Sequence, residues 1–114
     1  MFFRSLILAF FGSIIFCQYI YARPNPENGV RREYYPNGKV HVEAVFKKGH
    51  LARSRSFYKN GELMSEFRYQ RGLLHRKRTF YENGALKSEW SIKTGIMKFY
   101  NHEGVLTHEV KVEF

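Results

Sequence analysis

From Val40 onward the chain alternates between apolar and polar residues. "VHVEAVF" sets Val40, Val42, Ala44 and Phe46 on one parity; "LMSEFRY" does the same with Leu63, Ser65, Phe67 and Tyr69, and "LKSEWSI" with Leu86, Ser88, Trp90 and Ile92. Successive side chains of a strand point to opposite faces of a sheet, so each run predicts a β-strand with one face inward. A weaker copy near the end carries Leu106, Val110 and Val112 on a single parity.

The runs are punctuated by two glycine series. Asn37-Gly38, Asn60-Gly61 and Asn83-Gly84 recur every 23 residues, and Gly49, Gly72 and Gly95 recur at the same interval. Asn-Gly between alternating segments is a strong hairpin signal, and the unit becomes strand, Asn-Gly turn, strand, glycine turn. The predicted fold is all-β: consecutive β-hairpin repeats of about 23 residues forming one elongated antiparallel sheet. Its units are 34–56, 57–79, 80–98 and a degenerate 99–114.

Cross-strand chemistry suggests the register. A two-residue Asn60-Gly61 turn places Tyr58 opposite Leu63, Phe57 opposite Met64, Arg55 opposite Glu66 and Arg53 opposite Arg68. The equivalent cation-carboxylate pairs are Arg32 with Glu43 and Arg78 with Glu89. The rival three-residue loop, which Pro36 would also permit as part of a type I turn with a bulge, shifts the register by one, sets Arg53 against Phe67 and Arg55 against Ser65 and mixes arginine into the apolar face, so the two-residue turn is preferred. In the last copy "NHEG" reads as one residue longer, and Lys98 meets Glu109 only if Glu103-Gly104 makes the turn.

Upstream the pattern changes. Residues 5–22 carry no charge, follow Arg4 and end in Ala22, which resembles a secretory signal peptide preceded by an N-terminal positive charge. The alternatives are a membrane anchor retained over residues 5–22, or lipidation at the single cysteine, Cys17, although bulky Phe16 precedes it. Expected localisation is export, periplasmic or secreted, or membrane anchoring. Residues 23–33 hold two prolines and two asparagines and read as a linker running into the first strand.

Charge adds the partner class. Nineteen Lys and Arg oppose ten acidic residues, for a net charge of +9. Such a balance admits acidic protein surfaces, anionic lipid or nucleic acid. In the preferred register Arg53, Arg68, Arg71 and Arg76 form a basic patch without cross-strand carboxylates, and Leu51, Phe57, Leu74 and Phe80 share its parity. Catalysis finds no support: the five histidines occupy no common repeat position, no metal-ligand spacing is present, and no nucleophile motif surrounds the serines. No cofactor is expected.

The units "YYPNGKVHVEAVFKKG", "FYKNGELMSEFRYQRG" and "FYENGALKSEWSIKTG" resemble the MORN-repeat variant family. The resemblance implies the same elongated hairpin sheet. It maps the motif onto Tyr35, Asn37, Gly38, Glu43 and Gly49, onto Tyr58, Asn60, Gly61, Glu66 and Gly72, and onto Tyr81, Asn83, Gly84, Glu89 and Gly95. Some bacterial members act as antitoxins of toxin-antitoxin systems. The expected function is an exported, non-enzymatic scaffold that binds a protein partner, one with acidic character, through its sheet face. Arg53, Arg68, Arg71, Arg76, Phe57 and Phe80 are the candidate contacts. A cytosolic antitoxin and a peripheral binder of anionic membrane are the alternatives; nucleic acid and small-molecule substrates are disfavoured, the former by export.

Overall fold

The computed structural model describes residues 27–113. Residues 5–22, read above as a leader, lie outside the described residues, Cys17 and Ala22 included. The alternating runs form eight strands: β1 (Gly29–Tyr34), β2 (Val40–Lys47), β3 (His50–Phe57), β4 (Leu63–Gln70), β5 (Leu73–Phe80), β6 (Leu86–Ser91), β7 (Ile96–Tyr100) and β8 (Leu106–Lys111). They pair antiparallel in chain order within one sheet. Every neighbour in space is a neighbour in sequence, as a hairpin array demands.

The Asn-Gly turns differ from the two-residue expectation. Gly61 N–H donates to the Tyr58 carbonyl at 2.9 Å, and Tyr58 N–H donates to the Glu62 carbonyl at 2.8 Å. Lys59, Asn60 and Gly61 therefore form a three-residue loop, with only the glycine left-handed at φ 93°. Near this loop Phe57 pairs with Leu63, but Ser56 pairs with Ser65 and Arg55 with Glu66. Met64 is the extra residue of a bulge, and it returns the strands to the register that the ion pairs favour. The equivalent irregularity falls between Glu33 and Tyr34, between Thr79 and Phe80, and between Phe99 and Tyr100.

Asparagine serves these loops through its side chain rather than through a positive φ. Its Oδ1 accepts the N–H two residues on, at 2.9 Å in each case: Lys39 from Asn37, Glu62 from Asn60 and Ala85 from Asn83. A Cβ on Gly38 would meet nothing within 4 Å, so conformation and not space requires that glycine. The last hairpin uses the same loop without an extra residue, since Asn101 takes the tyrosine position. Gly104 N–H donates to its carbonyl, and Lys98 does pair with Glu109.

The opposite ends close differently. Lys48-Gly49 and Arg71-Gly72 are two-residue turns with both residues left-handed, Lys48 at φ 51° and Arg71 at φ 52°. Ile92 to Gly95 makes a longer loop, with Gly95 N–H donating to the Ser91 carbonyl at 2.9 Å.

Successive hairpins are stapled by the motif tyrosines. The hydroxyl of Tyr35 donates to the Phe57 carbonyl at 2.6 Å, that of Tyr58 to Phe80 at 2.7 Å and that of Tyr81 to Tyr100 at 2.8 Å. Asn37 and Asn83 add a second tie, donating Nδ2 to the carbonyls of Lys59 and His102. Tyr58→Phe deletes one such bond while keeping the ring, so a loss of about 1 kcal/mol is expected. Urea unfolding checks it: a midpoint equal to wild type would mean the ring alone holds the hairpins.

The sheet has two unlike faces. One buries Ala44, Phe46, Trp90 and Ser88, with Ser56-Ser65 and Thr79-Ser88 joined by hydroxyl hydrogen bonds at 2.6 and 2.5 Å. Arg31 lies over the Phe46 ring and Lys77 over Phe67, so cationic stems help cover this row. The other face buries a single described residue, Glu66, and carries the charge chemistry.

Candidate functional site

Strand pairing aligns a row of alternating charge across the whole sheet: Arg32, Glu43, Arg55, Glu66, Arg78, Glu89, Lys98 and Glu109, one residue from each strand. Glu66 is its centre. Arg55 Nε donates to Oε2 at 2.9 Å, while Arg78 Nη2 and Arg68 Nε donate to Oε1 at 2.7 and 3.1 Å. Burial alone pushes the carboxyl up, but the bonds from Arg78, Arg55 and Arg68 overturn that and hold it down at about 2.

A second row runs parallel, two residues along each strand. Arg53 of β3 pairs with Arg68 of β4, and Arg68 with Arg76 of β5. These cations were expected to lack carboxylates, and they do lack one directly opposite. Each reaches diagonally or along its strand instead. Arg68 takes Glu66, Arg76 Nη2 meets Glu89 Oε1 at 2.8 Å, and Arg53 Nη2 stands 3.7 Å from Glu43 Oε1. Glu43 also accepts from Arg32 at 2.9 Å, so six guanidinium groups share three carboxylates on this face.

The second row lines a cleft of about 870 Å³ at the glycine-turn end, together with Lys47, His75, Gln70, Ser91 and Lys93. Arg53, Arg68 and Arg76 remain 33%, 49% and 40% exposed, so they present charge to solvent while being held in place. Arg53 is the least satisfied: its carboxylate lies beyond hydrogen-bond range, and its buried Nε has no hydrogen-bond partner.

The rest of the expected patch is dispersed. Arg71 sits at a turn apex and does not line the cleft. Phe57 and Phe80 occupy the Asn-Gly end, four residues along their strands from Arg53 and Arg76, or about 13 Å. There the Phe80 ring packs against the Arg78 guanidinium at 5.7 Å. Leu51 and Leu74 change face altogether. Bulges at Ala52 and His75 pair them with Phe46 and Tyr69, on the apolar side. Ala52 and His75, which the alternation did not single out, line the cleft instead.

No group of three or more His, Cys, Asp or Glu among the described residues is placed to hold a metal ion. His41 stacks on Tyr35 and His102 on Tyr81, both beside the Asn-Gly loops.

The MORN repeat variant profile matches residues 27–48, 52–71 and 76–94, one match per motif hairpin. The chain belongs to the MORN repeat variant family. MORN repeats generally act as protein- or membrane-binding motifs, in keeping with a repeat scaffold. Among solved structures, this MORN chain is similar at 11% identity and TM-score 0.33 to one described as "Crystal structure of GtfA/B complex bound to UDP and GlcNAc". The similarity covers 76% of this chain and 24% of that one. No curated protein matches the chain.

Proposed function

We propose that this MORN-variant chain is an exported, non-enzymatic scaffold that binds an acidic segment of a protein partner in the cleft lined by Arg53, Arg68 and Arg76. One observation carries the reading: six guanidinium groups share three carboxylates, and the unshared charge collects in a cleft beside Lys47 and Lys93. A carboxylate-rich chain laid along this row would replace solvent at half-exposed arginines, whose forked donors suit carboxylates. The charge-free leader ending in Ala22 supports export.

Anisotropy of a labelled glutamate-rich peptide tests the cleft. Changing Arg53, Arg68 and Arg76 to Ser is expected to weaken binding at least about tenfold, with the wild-type affinity falling as salt rises. Equal binding by the two proteins would refute the site, and binding to anionic vesicles alone would transfer the cleft to a membrane partner. Cell fractionation with N-terminal sequencing tests export, with a mature end just after Ala22 expected. An intact Met1 terminus in the cytosolic fraction would remove that part.

A further inference from the structure

The charge row that crosses the sheet ends on opposite signs. It opens with Arg32 on β1, which is 47% exposed, and closes with Glu109 on β8. Between them, at each step from an even strand to the next odd strand, a glutamate meets a cation: Glu43 with Arg55, Glu66 with Arg78, Glu89 with Lys98. Glu109 is the fourth glutamate of this series, and the described residues place no ninth strand beside it.

We propose that the missing strand is β1 of a second copy, added antiparallel to β8 so that Glu109 faces Arg32 of that copy. With eight strands alternating in direction, β8 runs opposite to β1, so a second molecule joined this way continues the sheet without reversal. The register also sets His108 against Glu33 and Lys111 against Val30 of the second copy, leaving no like charges opposed.

The edges are suited to this. All six residues of β8 are exposed, including Leu106 and Val110, and β1 exposes Val30 and Tyr34. Neither strand contains a proline, the residue that most directly blocks addition at an edge. The last loop holds Asn101 where the other repeats hold the stapling tyrosine, so within the chain the tyrosine ties end at Tyr81. The contact joins two different edges, which makes it head-to-tail and able to repeat. It uses neither the cleft arginines nor the leader.

Disulfide trapping in the full-length chain tests the proposal. With Cys17→Ser as background, one preparation carries Glu33→Cys and another His108→Cys, since directly opposed residues lie within disulfide reach. Mild oxidation of the mixture is expected to yield the mixed dimer as the main product. A mixture of Glu33→Cys with Glu62→Cys, whose cysteine lies in an exposed loop, sets the collision background. Mixed dimer at that background, or a His108→Cys homodimer as the main product, overturns the head-to-tail pairing. As a second arm, Glu109→Arg should weaken association in sedimentation by about tenfold, because it sets a like charge against Arg32 of the second copy. Unchanged association of that variant also overturns the proposal.

Discussion

Glu66→Gln is expected to destabilise the sheet by about 3 kcal/mol, far more than any exposed ion pair in it. Glutamine keeps the shape but removes the charge on which Arg55, Arg68 and Arg78 converge. Only 3% of the Glu66 side chain is exposed, so solvent cannot step in, and three cations are left crowded around a neutral amide. Glu43 provides the comparison. It is 15% exposed, with one partner at 2.9 Å and another at 3.7 Å, so Glu43→Gln should cost about 1 kcal/mol. Urea midpoints at neutral pH decide the matter: a Glu66→Gln loss no larger than that of Glu43→Gln would mean the central carboxylate is merely another surface charge.

That residue also marks how far the sequence could be read. The pairing of Arg55 with Glu66 is legible because strand partners obey a fixed sum and three copies repeat the same chemistry, whereas Arg78, read against Glu89 and opposite it in the sheet, donates to Glu66 on its other side. Arg68 as a third partner was not read, because a sum rule sees only directly opposed residues. Yet residues two apart on one strand share a face, and Arg68 stands two places from Glu66. For Arg53 and Arg76 the partner is diagonal, since each stands two places from the arginine that Glu43 or Glu89 directly opposes.

The bulges were illegible for a different reason. Alternation assigns a face by counting, and one extra residue at Met64, Ala52 or His75 shifts every assignment beyond it. Leu51 and Leu74 were therefore grouped with Arg53 and Arg76 although they lie on the apolar side. Asn-Gly is a correct hairpin signal, but the dipeptide alone does not say what each residue does. Glycine supplies the left-handed residue, while asparagine is needed for its side chain, which closes its own loop and at Asn37 and Asn83 reaches the next one. A repeat spacing equal to the hairpin pitch hints at contacts between copies, but a pattern of residue types does not give their direction.

Acid should weaken the wild-type sheet and leave Glu66→Gln comparatively unaffected. The Glu66 carboxyl titrates at about 2 in the folded chain against 4.5 as its ordinary value, so the unfolded chain binds the proton more readily. The stabilisation is thus fully present above about pH 4.5 and is lost as the pH falls toward 2. Converted at about 1.4 kcal/mol per unit, that depression is worth on the order of 3 kcal/mol, matching the loss expected from removing the charge by mutation. A protonated Glu66 is nearly what glutamine is: a neutral group facing three guanidiniums. Urea midpoints of the two proteins at pH 7, 4, 3 and 2 should therefore converge as the solution is acidified, with other carboxylates shifting both proteins together. A gap at pH 2 as wide as that at pH 7 would show that Glu66 holds the sheet by its shape and not by its charge.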